Sequence, residues 1–302
     1  MTRIIIIFAC FFSFPLIGQD KYYNEKVIDV DANFFNINHK EKIIDIFLNS
    51  KYMRIISFDL KDTSYFSYLK KLKILEFTES TIEDSVIREK TFHSVLRNVG
   101  NKNKLEILSF YEKHEINMME IIAFSNLIKI DVFVSGNEIN FTSLSKLKMI
   151  NIYSNNASNI KIHSNSCLEL SILFDKLDHF PDLTIDLQSV KSITISRYYD
   201  STNIKPFNID IKNKANKIEK INFMFNFNTE PRIFGVSKIN TISFTTNEFD
   251  SINKLIGEFA KFTPKIIKIN TFTKIIDSSK ILRPKYISQL YLNGIKINNQ
   301  VK

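Results

Sequence analysis

The chain has little cysteine, little glycine and no second long apolar run. Its two cysteines are Cys10, inside the leading apolar stretch, and Cys167. Once that stretch is removed Cys167 stands alone, so no intrachain disulfide can form and stability has to come from burial. An opening apolar slot is where Cys167 falls, which makes it a buried structural thiol. The six glycines are isolated, which excludes the glycine-rich loop that cradles phosphates. Beyond the first 18 residues no stretch approaches the ~18 uninterrupted apolar residues of a membrane-spanning helix. His114 and Glu115 begin a zinc-protease pattern, but Met118 stands where its second histidine is needed. His163, Cys167, Asp175 and His179 match no standard zinc spacing. No catalytic residue, cofactor or metal is therefore assigned, and the chain reads as a non-enzyme.

Charge is abundant but unpatterned. The formal net charge is +9, which falls to +8 without Arg3. A basic balance can signal nucleic acid. Here the lysines are scattered, pairs such as Lys70 and Lys71 extend into no run, and the excess of Lys, Asn, Ile, Phe and Tyr is what an AT-rich genome supplies. No nucleic-acid partner is expected.

What the sequence does have is one phrase written eleven times between Met53 and Leu292: an apolar residue, a second three positions on, and a third two further. LKILEF from Leu72, LEILSF from Leu105, LKMINI from Leu147 and INTISF from Ile239 are examples. Successive openings lie 19 to 33 residues apart. Such a period predicts a solenoid. The residue between the second and third apolar slots tests the frame, because it was not used to choose it. It is Ser57, Glu76, Ser109, Asp131, Asn151, Ser171, Thr194, Asn222, Ser243, Asn270 and Tyr291. In a chain that is 44% hydrophobic, chance would make about five of these apolar, and only Tyr291 is. Apolar, polar, apolar is the period of a strand with one buried and one wet face.

The phrase resembles the leucine-rich repeat, LxxLxLxxN, over residues 53 to 295. The resemblance implies an α/β solenoid with a parallel concave sheet and an irregular convex side carrying a few short helices. The Asn expected eight residues after each opening survives only as Asn155, Asn226 and Asn247, so its ladder should be discontinuous. The resemblance also implies a bacterial binding scaffold that recognises a protein by default, or a glycan, through the concave face.

The organisation that follows is a signal peptide at 1–18, an N-terminal cap at 19–52 and about eleven repeat units over 53–302. Arg3, the apolar Ile4 to Ile17 and the small Gly18 form a secretory signal; a lipoprotein signal using Cys10 is the alternative. Export would leave the protein secreted, periplasmic or on the cell surface, with no integral membrane span. Within the cap, Ile43, Ile44 and Phe47 fall at helical spacing, placing a helix where it could cover the first strand's edge. Two insertions also have helical spacing: Ile82, Val86, Phe92, Val95, Leu96 and Val99 after a capping pattern at Ser80 to Glu83, and Phe249, Ile252, Leu255, Ile256 and Phe259. The connectors Asn156 to Ser166 and Asp200 to Asn216 should be extended. Little chain is left after Leu292 to close the C-terminal edge, which marks it as a surface for pairing with another chain.

The candidate ligand surface is the outer strand face. Tyr111, Phe133, Tyr153 and Leu173 form an aromatic and apolar ladder beside Ser109, Asp131, Asn151 and Ser171, the combination of flat area and hydrogen-bond direction that a contact surface uses. Tyr111, Phe133, Tyr153, Asp131, Asn151 and Ser109 are the predicted ligand-binding residues. An alternative reading is a parallel β-helix enzyme acting on polysaccharide, with Glu76 and Asp131, nominally two rungs apart, as its carboxylates.

Overall fold

The computed structural model describes residues 25–56, 60, 62–78, 85–110, 118–134, 136–155, 158–175, 180–197, 207–226, 231–246, 249–271, 278–281 and 283–297. One large sheet runs the length of the molecule. Its strands, in spatial order, are β1 (Val27–Val30), β2 (Tyr52–Ile55), β3 (Ile74–Phe77), β4 (Ile107–Phe110), β5 (Lys129–Val134), β7 (Met149–Ser154), β9 (Glu169–Phe174), β11 (Ser192–Arg197), β13 (Lys217–Asn226), β15 (Lys238–Thr245), β16 (Ile266–Asn270), β17 (Gln289–Leu292) and β18 (Ile295–Lys296). All neighbours pair in parallel except β17 with β18. At about 4.8 Å per strand the twelve parallel strands extend roughly 50 Å.

The pairing follows the sequence phrase. Leu75, Leu108, Ile130, Ile150, Leu170, Ile193, Ile221 and Ile242, each a second apolar slot, pair in register from β3 to β15. Leu290 continues the same row through Ile267. The opening slots from Leu72 to Ile239 are buried with them in one core. A single-residue slip would turn this row outward, so the apolar pattern fixes the register.

Two of the eleven frames are displaced. Met53 pairs with Leu75 and Ile55 with Phe77, so Met53 is a second slot; Ile56, expected to be buried, is 39% exposed, and Phe58 lies outside the described residues. In the tenth unit Ile267 and Ile269 pair with Ile242 and Phe244. The inward slots are therefore Ile267 and Ile269, with Lys268 between them, instead of Ile269 and Thr271 around Asn270. In both units consecutive apolar residues, Ile55-Ile56 and Ile266-Ile267, make adjacent frames look alike. With the shifted frame the tenth unit has an apolar third slot, which Thr271 did not supply.

The ends also differ from expectation. The segment 19–52 is not solely a cap, because β1 pairs with β2 and extends the sheet by one strand. Helices α1 (Ala32–Ile37) and α2 (Lys40–Asn49) follow β1. Rather than covering a strand edge, α2 buries Ile43 and Phe47 in the core, Phe47 meeting Phe66 edge-on at 5.3 Å. At the other end the edge of β17 is occupied by β18. The two-residue loop between them is Asn293-Gly294, both at positive φ (49° and 82°), the conformation a tight hairpin needs.

Behind the large sheet the layer changes along the molecule. Helices α3 (Ser85–Asn98) and α4 (Met118–Ile122) serve the early coils and α5 (Phe249–Phe259) a late one. Both predicted helical insertions are helices over these residues; the capping pattern at 80–83 lies outside the described residues. The middle coils instead build a second parallel sheet from β6 (Glu138–Asn140), β8 (Ile160–Ser164), β10 (Leu183–Leu187), β12 (Asn208–Lys212) and β14 (Arg232–Phe234). The connectors expected to be extended contain β8 and β12, but their joining into a regular sheet replaces the irregular side anticipated there. Each of β8, β10 and β12 alternates buried and more exposed residues.

Side-chain volume tracks this change. Phe92 of α3 sits 4.9 Å from both Phe77 and Phe110, and Phe259 of α5 lies 6.3 Å and 5.7 Å from Phe223 and Phe244. A helical phenylalanine thus spans two neighbouring third-slot phenylalanines. Where β6, β8, β10 and β12 follow the strand, the third slots are Val132, Ile152, Ile172 and Ile195; Phe223, followed by β14, is the exception at the boundary with α5. Gly100, two residues past α3, packs against neighbouring backbone, where a Cβ would stand 2.0 Å from the Ser67 carbonyl oxygen.

Coil-to-coil side-chain bonds lie ahead of the strands. Asn126 Nδ2 donates to Asn103 O, Ser166 Oγ to Leu144 O, Ser189 Oγ to Asn165 O, Asn213 Nδ2 to Val190 O and Ser237 Oγ to Asn216 O. Each satisfies a carbonyl of the preceding coil. Of the expected ladder residues, Asn155 is exposed, while the Asn226 side chain and Asn247 lie outside the described set.

Candidate functional site

One row of outward side chains crosses the large sheet in register: Asp29, Arg54, Glu76, Ser109, Asp131, Asn151, Ser171, Thr194, Asn222, Ser243, Lys268 and Tyr291. It is the predicted polar slot, with Arg54 and Lys268 replacing Ser57 and Asn270 and with Asp29 added by β1. Parallel, in-register pairing brings residues 20 to 33 positions apart into lateral contact.

Three predicted site residues form one hydrogen-bonded group at its centre. Asp131 accepts from Ser109 Oγ through Oδ2 and from Asn151 Nδ2 through Oδ1, each at 2.5 Å. Lys129 Nζ stands 3.1 Å from Asp131 Oδ2, and the two side chains are 4% and 2% exposed. Desolvating both ions is costly, and the Coulomb attraction together with the hydroxyl and amide donors offsets it. Phe133 and Tyr153 are neighbours in register. Phe133 is buried, and burial first, then the Asp131 charge, push the Tyr153 hydroxyl above its ordinary range. Tyr111 lies outside the described residues. The face expected to be wet is thus closed over β3 to β5, where Glu76, Ser109, Lys129 and Asp131 are buried together with Ile74 and Ile107. The alternation detects that these residues point away from the core, but it cannot detect that this side is shielded as well.

The adjacent end of the row is also engaged. Tyr52 Oη donates to Glu76 Oε2 at 2.5 Å, and Arg54 forks onto Asp29 through Nε at 2.7 Å and Nη2 at 3.0 Å. Burial raises the Glu76 carboxyl, the Tyr52 hydrogen bond opposes that, and the Asp131 charge adds to it. Glu76 and Asp131 are two strands apart, with Ser109 between, and each already holds protein donors.

Accessibility returns on the later strands. Glu169, Ser171, Leu173, Lys220, Met224, Thr241, Gln289 and Tyr291 are half-buried and Lys268 is exposed, while Thr194, Asn222 and Ser243 of the row stay buried between them. The half-buried and exposed positions, rather than the whole of β9 to β17, are open to a ligand, as is Asp29 at the opposite end of the row.

Elsewhere, α3 and α4 are joined by His93 Nδ1 and Arg97 Nε, each 2.6 Å from a Glu120 oxygen, a cluster with no motif spacing to announce it. Cys167 is fully buried and bonded to the Glu169 carbonyl, and burial pushes its thiol up to about 12. His163 faces Asp186 at 3.5 Å and Glu138 at 3.6 Å on the second sheet. His114 and His179 lie outside the described residues. Among the described residues no group of three or more His, Cys, Asp or Glu could hold a metal, and no helix is long and apolar enough to cross a membrane. No family model, curated protein or solved structure compared with the chain matches it.

Proposed function

We propose that the chain is a leucine-rich-repeat-like solenoid, exported by its N-terminal signal, that works as a binding scaffold for a protein or a glycan through the outer, concave face of its large sheet. The supporting observation is the in-register outward row across twelve parallel strands, polar on eleven of them and closed by Tyr291. A long sheet of one repeated element offers extended area and regularly spaced hydrogen-bonding groups rather than a single convergent pocket. The half-buried and exposed positions from β9 onward, Ser171, Lys220, Lys268 and Tyr291 among them, are the contact surface; the Ser109, Asp131 and Asn151 group holds neighbouring strands together.

The test is capture from the native medium with the chain lacking residues 1–18. Ser171→Arg, at a half-buried position of the row, should abolish capture with an unchanged circular dichroism spectrum. Lys161→Glu on the second sheet should have no effect. Capture indifferent to Ser171→Arg contradicts the reading.

The polysaccharide-enzyme reading draws on the paired parallel sheets of the middle coils, an architecture that parallel β-helices share. Hydrolysis of a polysaccharide panel, abolished by Asp131→Asn in a folded protein, would move the function there.

A further inference from the structure

Two cations on the open part of the outer face have no hydrogen-bond or ion-pair partner among the described residues. Lys220 on β13 and Lys268 on β16 point the same way, two strands apart, or about 10 Å across the stack. The Lys268 ammonium lies 5.8 Å from the ring centre of Tyr291, its neighbour in register, and Tyr291 Oη donates to Gln289 Oε1 at 2.9 Å. Thr241, beside Lys220, adds a half-buried hydroxyl. Glu169, two strands to the other side of Lys220, leaves the patch with one net positive charge.

We infer that Lys220, Lys268 and Tyr291 form a subsite for an acidic glycan, a chain whose sugar units carry carboxylates. This rests on the scaffold reading and specifies its ligand. Burial first, then the charge of Lys268, hold the Lys220 ammonium below its ordinary value, while Glu169 pulls the other way. A ligand carboxylate placed against these cations relieves their repulsion. A repeating chain can present carboxylates to both at once, while its hydroxyls meet Thr241, Gln289 and the tyrosine. A protein interface would centre on buried aromatic or arginine anchors, whereas this patch is hydroxyl, amide and ammonium around one aromatic ring.

The probe is an oligogalacturonate of defined length, titrated by calorimetry into the chain lacking residues 1–18 at low and high salt. Binding should weaken with salt. It should weaken roughly tenfold or more, about 1.4 kcal/mol, in Lys220→Gln/Lys268→Gln, and be kept within about threefold in Lys220→Arg/Lys268→Arg. Lys161→Gln/Lys212→Gln, which removes the same charge from the second sheet, should bind as the unsubstituted chain does, and neutral dextran should not bind. Equal weakening by both glutamine pairs, or no binding at all, overturns the inference, and polyglutamate binding as tightly as the glycan transfers the patch to acidic proteins. If the oligogalacturonate fails while capture remains sensitive to Ser171→Arg, the scaffold reading stands and only the acidic-glycan assignment falls.

Discussion

Lys129 and Asp131 stand two residues apart on β5, side by side on the outer face, with their charged groups 3.1 Å apart and almost no exposure. Removing one partner of a buried pair leaves the other uncompensated. Asp131→Asn should therefore cost about 3–5 kcal/mol in urea unfolding. Lys129→Met combined with Asp131→Asn should recover a large part of that loss. If Asp131→Asn is neutral, the group is solvated and the face is open after all.

Glu76 gives the fold a pH dependence of defined sign. Its carboxyl is raised by burial above the ordinary 4.5, so the folded state holds the proton to higher pH than the unfolded chain does. The stabilisation is complete below the unfolded value and is lost as pH rises through the folded one. Glu76→Gln should flatten the urea midpoint against pH in the window above 4.5, while leaving other titrations in place. An unchanged slope would mean that Glu76 contributes no linkage.

Cys167 should report on opening of the core. With its thiol raised to about 12 and fully buried, it should resist thiol reagents at pH 8 in the native protein and react at once in urea. Linkage adds that stability is lost as pH climbs from the ordinary 9.0 toward the folded value. Rapid native labelling would contradict its burial.

Glycine positions separate crowded from open sites. Gly235, at φ 77°, would place a Cβ 2.1 Å from the Ile211 carbonyl oxygen, as Gly100 would against Ser67, whereas Gly257 in α5 meets nothing within 4 Å. Gly100→Ala and Gly235→Ala should lower the Tm. Gly257→Ala should raise stability by roughly 0.5–1 kcal/mol through helix propensity. Thermal unfolding of the three variants checks the contrast.

Much of the large sheet was readable because period and register carry the same information. A buried residue every second position, opened by another three before, sets the orientation of every strand from β3 to β15 without knowledge of the connectors. The frame failed at Met53 and Ile266, where an extra apolar residue at the strand boundary makes two registers equally apolar. β1 was missed because Val27 to Val30 is short and lacks the opening slot. The second sheet was hidden because β6 and β14 are only three residues long and because the alternation within β8, β10 and β12 does not say which strands they pair with; stacking on neighbours decides that. The candidate site was legible as a set of neighbours, Ser109, Asp131 and Asn151, but not as a buried one. Burial of both faces of a strand depends on what lies over it, and no local pattern reports that.

The most direct test of the stacked, in-register sheet is a set of three distances by pulsed electron resonance. Spin labels would be placed at Asp29, Ser171 and Lys268 of the outward row in a Cys167→Ala background. Register puts six strand steps between the first two, four between the last two and ten between the outer pair. At about 4.8 Å per step, distances near 29, 19 and 48 Å are expected, with the longest close to the sum of the others. A longest distance no greater than either of the others would show that the strands do not stack in this order.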